Sequence, residues 1–197
     1  MKIGITGGVG SGKSTILEIL QKEYGAAVII ADDVSRELME PGHPGFLPVA
    51  EYFGDGILAE DGSIDRGKLA AIVFRDPEKL AVLNHLNHPL VRERILELIR
   101  QYQEQGYFLI VIESAILIQA GYRELIDELW AVHVDYEIRV QRLMESRGYS
   151  REKTDSIISN QLSDQDTEAA ADFVIDNSGT QEQTRLQIAR HVACYKR

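Results

Sequence analysis

The run Gly7-Gly8-Val9-Gly10-Ser11-Gly12-Lys13-Ser14-Thr15 constrains this chain more than any other feature. It reads G-x-x-x-x-G-K-S, a loop whose backbone closes around phosphate. Lys2 to Thr6 before it is a short β-type run, and Ile16, Leu17, Ile19 and Leu20 after it fall at helical spacing. The loop is therefore expected between a strand and a helix. There its glycines permit positive φ and close approach of backbone N–H groups. The following helix adds unpaired N–H groups and the positive end of its dipole. On this reading Gly8, Gly10, Ser11, Gly12, Lys13, Ser14 and Thr15 surround the phosphates of a nucleotide. Lys13 brings a mobile positive charge to the outer phosphates, and the Ser14 hydroxyl is a ligand for Mg²⁺.

Four more strand-like runs follow: Ala26 to Ala31, Tyr107 to Glu113, Leu129 to Val134 and Phe173 to Ile175. The continuous apolar ones suit strands buried on both faces. Alternating with helical stretches, the five runs predict an α/β fold, a five-stranded parallel sheet flanked by helices. The stretch between the second and third strands is too long for one crossover. It holds helical patterns at Asp33 to Met39, Phe46 to Phe53 and Lys68 to Phe74, and a capped start at Asp76-Pro77. His88-Pro89 is expected to open a long helix with Val91, Ile95, Leu98, Ile99 and Tyr102 on one face. The predicted organisation is a nucleotide-binding core of residues 1–32, 107–141 and 171–197, a mostly helical substrate domain at 33–106 and a lid at 142–170. Thr180 and Gln183 have capping-box spacing at the start of the closing helix.

Charge narrows the partners. The chain has 197 residues with 31 acidic against 21 basic, a formal net charge of −10. That opposes a large nucleic-acid surface, which needs clustered Lys and Arg. Cys194 is the single cysteine, so no intrachain disulfide is possible, as suits a reducing cytosol; it is expected to be inert. The first strand begins at Lys2, so no signal peptide is expected, and no apolar run approaches the roughly 20 residues that span a bilayer. A cytoplasmic protein without nucleic-acid or membrane partners is the expectation.

Outside the loop, Asp32 follows the second strand, and ligands of open parallel sheets bind beyond such carboxyl ends. It could accept a proton from a substrate hydroxyl, help to organise Mg²⁺, or cap the next helix. Asp33 is the better cap candidate. Arg139, Arg142 and Arg147 share the helix leading into the late insertion, where they either meet transferring phosphate or sit solvated on the surface. His85 and His88 lie three apart without a third metal ligand at recognisable spacing, so a structural or substrate-contacting role is expected for them.

Together these residues resemble the dephospho-CoA kinase family over nearly the whole chain. The matching pieces are Thr6 to Thr15, Ala31-Asp32, Glu40-Pro41-Gly42, Ile64-Asp65-Arg66, Val73-Phe74, His88-Pro89-Leu90-Val91, Gln141-Arg142-Leu143, Gln161 and Ala171 to Gly179. The resemblance implies a P-loop kinase with a nucleoside-monophosphate-kinase-like fold. It implies transfer of the ATP γ-phosphoryl to the ribose 3′-hydroxyl of dephospho-CoA with Mg²⁺, in the last step of coenzyme A synthesis. It makes Asp32, Lys13 and Arg142 the catalytic residues. Arg142, Asn177 and Gly179 join the loop at the nucleotide, and Asp32, Arg66 and His88 meet the acceptor. Ser14, with Asp32 as a second candidate, would hold Mg²⁺. A monomer is expected.

The chain departs from the family pattern in places. Ile30 stands where the family often has an Asp, and Ala115 to Gln119 replaces a Pro-Leu-Leu-x-Glu stretch, with Glu113 just upstream. Ser146 occupies the place of a second lid arginine, one step before Arg147, and Thr167 lies near that of a lid lysine. The alternatives are a P-loop kinase for a nucleoside or sugar, and a nucleotide-dependent switch. The switch needs an N-K-x-D motif, which the chain lacks, and its D-x-x-G at Asp176 to Gly179 comes after the last strand rather than mid-chain.

Overall fold

A computed structural model describes residues 1–196. The chain divides into two compact units, one of Met1–Val28 with Tyr102–Arg197 and one of Ile29–Gln101. The strands are β1 (Lys2–Thr6), β2 (Ala27–Ile30), β3 (Ile110–Glu113), β4 (Glu128–His133) and β5 (Phe173–Asp176). They form the expected five-stranded parallel sheet, in the order β2-β3-β1-β4-β5.

Central β1 is flanked on both sides: Ile3 pairs with Val111 of β3 and with Glu128 of β4. Ile3, Ile5, Val111, Ile112 and Leu129 have no exposed surface, as strands covered on both faces require. β3 is shorter than its apolar run. Tyr107 and Phe108 are 42% and 60% exposed. The Tyr107 N–H instead closes the preceding helix end on the Tyr102 carbonyl, at 3.0 Å.

The helices of the first unit are α1 (Lys13–Tyr24), then, after β4, three that carry the late insertion and one that closes the chain. The second unit holds four, the last of which runs on into the first unit. In chain order they are α2 (Ala31–Leu38), α3 (Phe46–Phe53), α4 (Arg66–Val73), α5 (Pro77–Glu104), α6 (Tyr136–Arg147), α7 (Arg151–Ser159), α8 (Asp164–Ala169) and α9 (Gln181–Val192). Thr180 and Gln183 make the expected capping box on α9.

Two sequence expectations need correction in the second unit. Neither Asp32 nor Asp33 caps α2. Strand β2 passes directly into the helix, so Ile30 (φ −99°) is the cap residue and both carboxylates lie in the first turn. There they face the positive end of the dipole, and Asp33 takes Arg36 at 2.8 Å. His88-Pro89 does not start a helix but lies inside α5, which begins at Pro77. Asp76 accepts from the N–H groups of Glu78 and Lys79, both at 3.1 Å, and fixes that start. Pro89 lacks an N–H and so removes one helical hydrogen bond. The buried face of Asn87, Val91, Ile95 and Ile99 nevertheless continues across it at i, i+4 spacing. Val49, Ile57, Ile64, Leu69 and Val73 form a separate buried cluster in this unit. Among the described residues no helix is long and apolar enough to cross a membrane.

Candidate active site

The phosphate-type loop connects β1 to α1. Gly12 caps α1 in the left-handed region, φ 84° and ψ 27°, which favours glycine. Turning there leaves donors open. Ser11 N–H bonds the Gly8 carbonyl and Thr15 N–H that of Gly12, both at 3.1 Å. Among the described residues no acceptor takes the N–H groups of Gly10, Gly12, Lys13 and Ser14. The Ser14 side chain is exposed, while the Ser11 Oγ is buried without a hydrogen-bond partner. Open N–H groups converging at a helix start form a site for an anion.

Lys13 lies back along the loop. Its Nζ donates to the Gly7 carbonyl at 2.8 Å and stands 3.5 Å from Glu113 Oε1. Glu113 ends β3 in register with Ile5, which places its carboxylate beside the loop that leaves β1. In the sequence Glu113 carries a single signal, a lone acidic residue closing an otherwise apolar strand.

Asn177, after β5, holds the loop in place. Its Nδ2 donates to the Ser11 carbonyl at 2.8 Å, and its Oδ1 accepts from Thr184 Oγ1 at 2.9 Å. Arg142 Nη2 donates to the Asn177 carbonyl at 2.9 Å, which brings Arg142 to the same end of the loop. Gly179 borders an open cavity of about 570 Å³. Arg147 is exposed at the end of α6, and Ser146 bonds the Arg142 carbonyl through its hydroxyl. Arg139 is neither solvated nor on the surface: it is 2% exposed and bonded to the Val9 carbonyl. The α6 helix turns this residue inward because Arg139, Val140 and Leu143 form its buried face.

The remaining candidates belong to the second unit. Asp32 is exposed in the first turn of α2. Arg66 is exposed as the first residue of α4, whose cap is the Asp65 carboxylate, accepting from Gly67 and Lys68 N–H. His88 is half-buried on α5, and burial pushes its pKa below the usual histidine value. His85 is exposed. Among the described residues no group of three or more His, Cys, Asp or Glu could hold a metal ion by itself. Cys194 is exposed near the chain end.

Comparison with known proteins agrees with this chemistry. A sequence profile described as dephospho-CoA kinase matches residues 1–183. The chain belongs to the dephospho-CoA kinase family. The dephospho-CoA kinase of Carboxydothermus hydrogenoformans is 45% identical over 186 residues, covering 94% of this chain and 90% of that protein. That of Corynebacterium glutamicum is 38% identical over 193 residues, covering 98% and 96%. The crystal structure of TT1252 from Thermus thermophilus superposes with a TM-score of 0.85 at 28% identity, covering 99% of this chain and 97% of that one. A dephospho-CoA kinase structure from Campylobacter jejuni gives 0.71 at 24% identity, covering 98% and 96%, a likeness of fold. As a dephospho-CoA kinase, the chain transfers the γ-phosphoryl of ATP to the ribose 3′-hydroxyl of dephospho-CoA.

Proposed function

We propose that in this reaction the loop of the first unit binds ATP, the helical second unit binds dephospho-CoA, and α7 with α8 acts as a lid. The observation that carries the nucleotide assignment is the set of open N–H groups on Gly10, Gly12, Lys13 and Ser14. They are donors without acceptors at a helix start, which phosphate oxygens satisfy. Gly8, Ser11 and Thr15 complete the loop around the phosphates. When phosphate arrives, Lys13 Nζ leaves the Gly7 carbonyl for the outer phosphate oxygens, where negative charge shifts during transfer. Arg142, already anchored on Asn177, adds positive charge at the nucleotide. Asn177 and Gly179 support the nucleotide from the strand end.

Asp32 accepts the proton of the 3′-hydroxyl as that oxygen attacks phosphorus and ADP leaves. Its exposure in a helix first turn leaves the carboxylate open to an incoming hydroxyl. Arg66 and His88 contact the acceptor; burial lowers the pKa of His88 and so favours the neutral ring, which can both donate and accept a hydrogen bond. The donor set suits Mg²⁺: Ser14 offers a free hydroxyl and Glu113 a carboxylate, and ATP phosphates supply further oxygens. Asp32 is a second candidate for that shell. Bound Mg²⁺ would neutralise charge on the β- and γ-phosphate oxygens. The enzyme acts on small molecules as a cytoplasmic monomer; its net charge of −10 disfavours nucleic-acid partners and its single cysteine suits a reducing compartment.

ADP release tests the assignment. It should require ATP and dephospho-CoA together and stop when EDTA removes Mg²⁺. Equal release with a nucleoside or sugar acceptor would favour the alternative kinase reading instead.

A further inference from the structure

Arg139 has no place in the roles described above, yet it is the most elaborately bonded side chain near the loop. Removing a guanidinium from water is unfavourable unless its N–H groups find acceptors. Here all three nitrogens do. Nε donates to the Val9 carbonyl at 2.8 Å and Nη1 to Asp164 Oδ1 at 3.1 Å, while Nη2 donates to Gln161 Oε1. The same Gln161 oxygen accepts the Val9 N–H at 3.1 Å. Two donors converging on one amide atom identify it as the oxygen. Both backbone groups of Val9 are thus held by side chains from outside the loop. Gly8 makes this possible. It does not adopt positive φ, but a methyl group there would run into the Arg139 guanidinium and the Gln161 amide.

Val9 immediately precedes Gly10, whose N–H is open. Gln161 lies in the link between α7 and α8, and Asp164 is the first residue of α8. We infer that Arg139 is a positioning residue for phosphoryl transfer, fastening the crown of the phosphate loop to the insertion that follows α6. It acts through Val9 and not on phosphate: unlike Lys13 and Arg142 it is 2% exposed, and all three of its nitrogens are bonded to protein acceptors. A shift of α7 and α8 then moves Val9, and the loop is set for transfer only when the insertion is seated. The inference rests on the kinase reading of this loop.

The test compares Arg139→Met, Arg139→Lys, Gln161→Leu and Gln161→Glu in kcat, KM for both substrates, ADP affinity and Tm. Wild-type turnover is measured first. A misplaced reacting group costs up to about 10²-fold, so Arg139→Met and Gln161→Leu should lower kcat roughly 10- to 100-fold at temperatures where they stay folded. KM for dephospho-CoA and affinity for ADP should change by less than about threefold, since ground-state binding is retained. Gln161→Glu keeps an oxygen acceptor for both donors and should hold kcat within about threefold of wild type. Arg139→Lys, with charge but no fork, should fall between. Wild-type kcat in both Arg139→Met and Gln161→Leu, whatever their Tm, would reduce Arg139 to a structural brace and overturn the inference. Should Arg139→Met fail to fold, the two Gln161 variants decide. Absent dephospho-CoA-dependent turnover in the wild type would overturn the kinase reading and this inference together; normal wild-type turnover with unimpaired variants overturns this inference alone.

Discussion

The phosphate loop and the second unit prepare their functional side chains in opposite ways. In the loop the groups of interest are held before any ligand arrives: Lys13 on the Gly7 carbonyl, Asn177 on the Ser11 carbonyl, Arg142 on the Asn177 carbonyl. In the second unit Asp32 and Arg66 stand exposed on helix first turns with neighbours doing the capping. The contrast follows the ligands. A phosphate needs several donors fixed at once, and fixing them in advance avoids the entropy of ordering them on binding. On the proposed roles, a single carboxylate that meets one hydroxyl needs access more than a rigid mount.

Substitutions can break or sharpen that contrast. Asp32→Asn should lower kcat by roughly 10²–10⁴-fold, the range for a positioned acid or base. Its Tm should fall only slightly: among the described residues no hydrogen bond or ion pair holds the Asp32 side chain, and only its favourable charge at the start of α2 is lost. Retained kcat would remove the base and leave at most orientation by a hydrogen bond. Lys13→Ala should lower kcat/KM by roughly 10²–10³-fold, as loss of a charge stabilising the transition state does. It should lower Tm more than Asp32→Asn does, since the buried Glu113 loses a charged neighbour at 3.5 Å. An unchanged Tm with normal turnover would contradict the preset loop.

Smaller effects test the supports. Asn177→Ala leaves the Ser11 carbonyl and the Thr184 hydroxyl without the partners they have at 2.8 and 2.9 Å. A stability loss of about 1–3 kcal/mol is expected in denaturant titration. A change near zero would mean that the loop keeps its form without Asn177.

The smallest effect concerns the insertion. His133 at the end of β4 meets Glu168 of α8 at 2.6 Å, with Asp135 at 3.6 Å and Asp176 also facing it. Burial disfavours its charge, but the bond to Glu168 and the surrounding carboxylates outweigh that and raise its pKa. A raised folded-state pKa contributes stability that is fully present below the unfolded value of about 6.5 and is lost as pH rises through the folded value. The Tm advantage of wild type over His133→Gln should therefore shrink as pH rises above neutrality. An advantage that does not vary with pH would exclude a charged contact.

Much of this was legible in the residues, and the misses have physical causes. A strand, a glycine loop and a helix follow from local pattern alone, so the loop and the parallel sheet could be read directly. The start of α2 is not legible, because sequence shows which residues are able to cap but not where a strand runs straight into a helix. Ile30 therefore took the place expected for Asp33. His88-Pro89 looked like a helix start because proline favours first turns, yet the buried face from Asn87 to Ile99 carries α5 through it. Arg139 and Glu113 were unreadable for a different reason. Their partners, Val9, Gln161 and Lys13, are remote in sequence, and an inward-facing charge has no local signature.

The most direct test of the account is the position of the new phosphate when wild-type enzyme, ATP, Mg²⁺ and dephospho-CoA react. Phosphorus NMR and mass of the purified product should show one added phosphate, a monoester on the ribose 3′-oxygen, with one ADP formed for each. A phosphate at any other oxygen, or ADP formed without a phosphorylated acceptor, would contradict the assignment of this site.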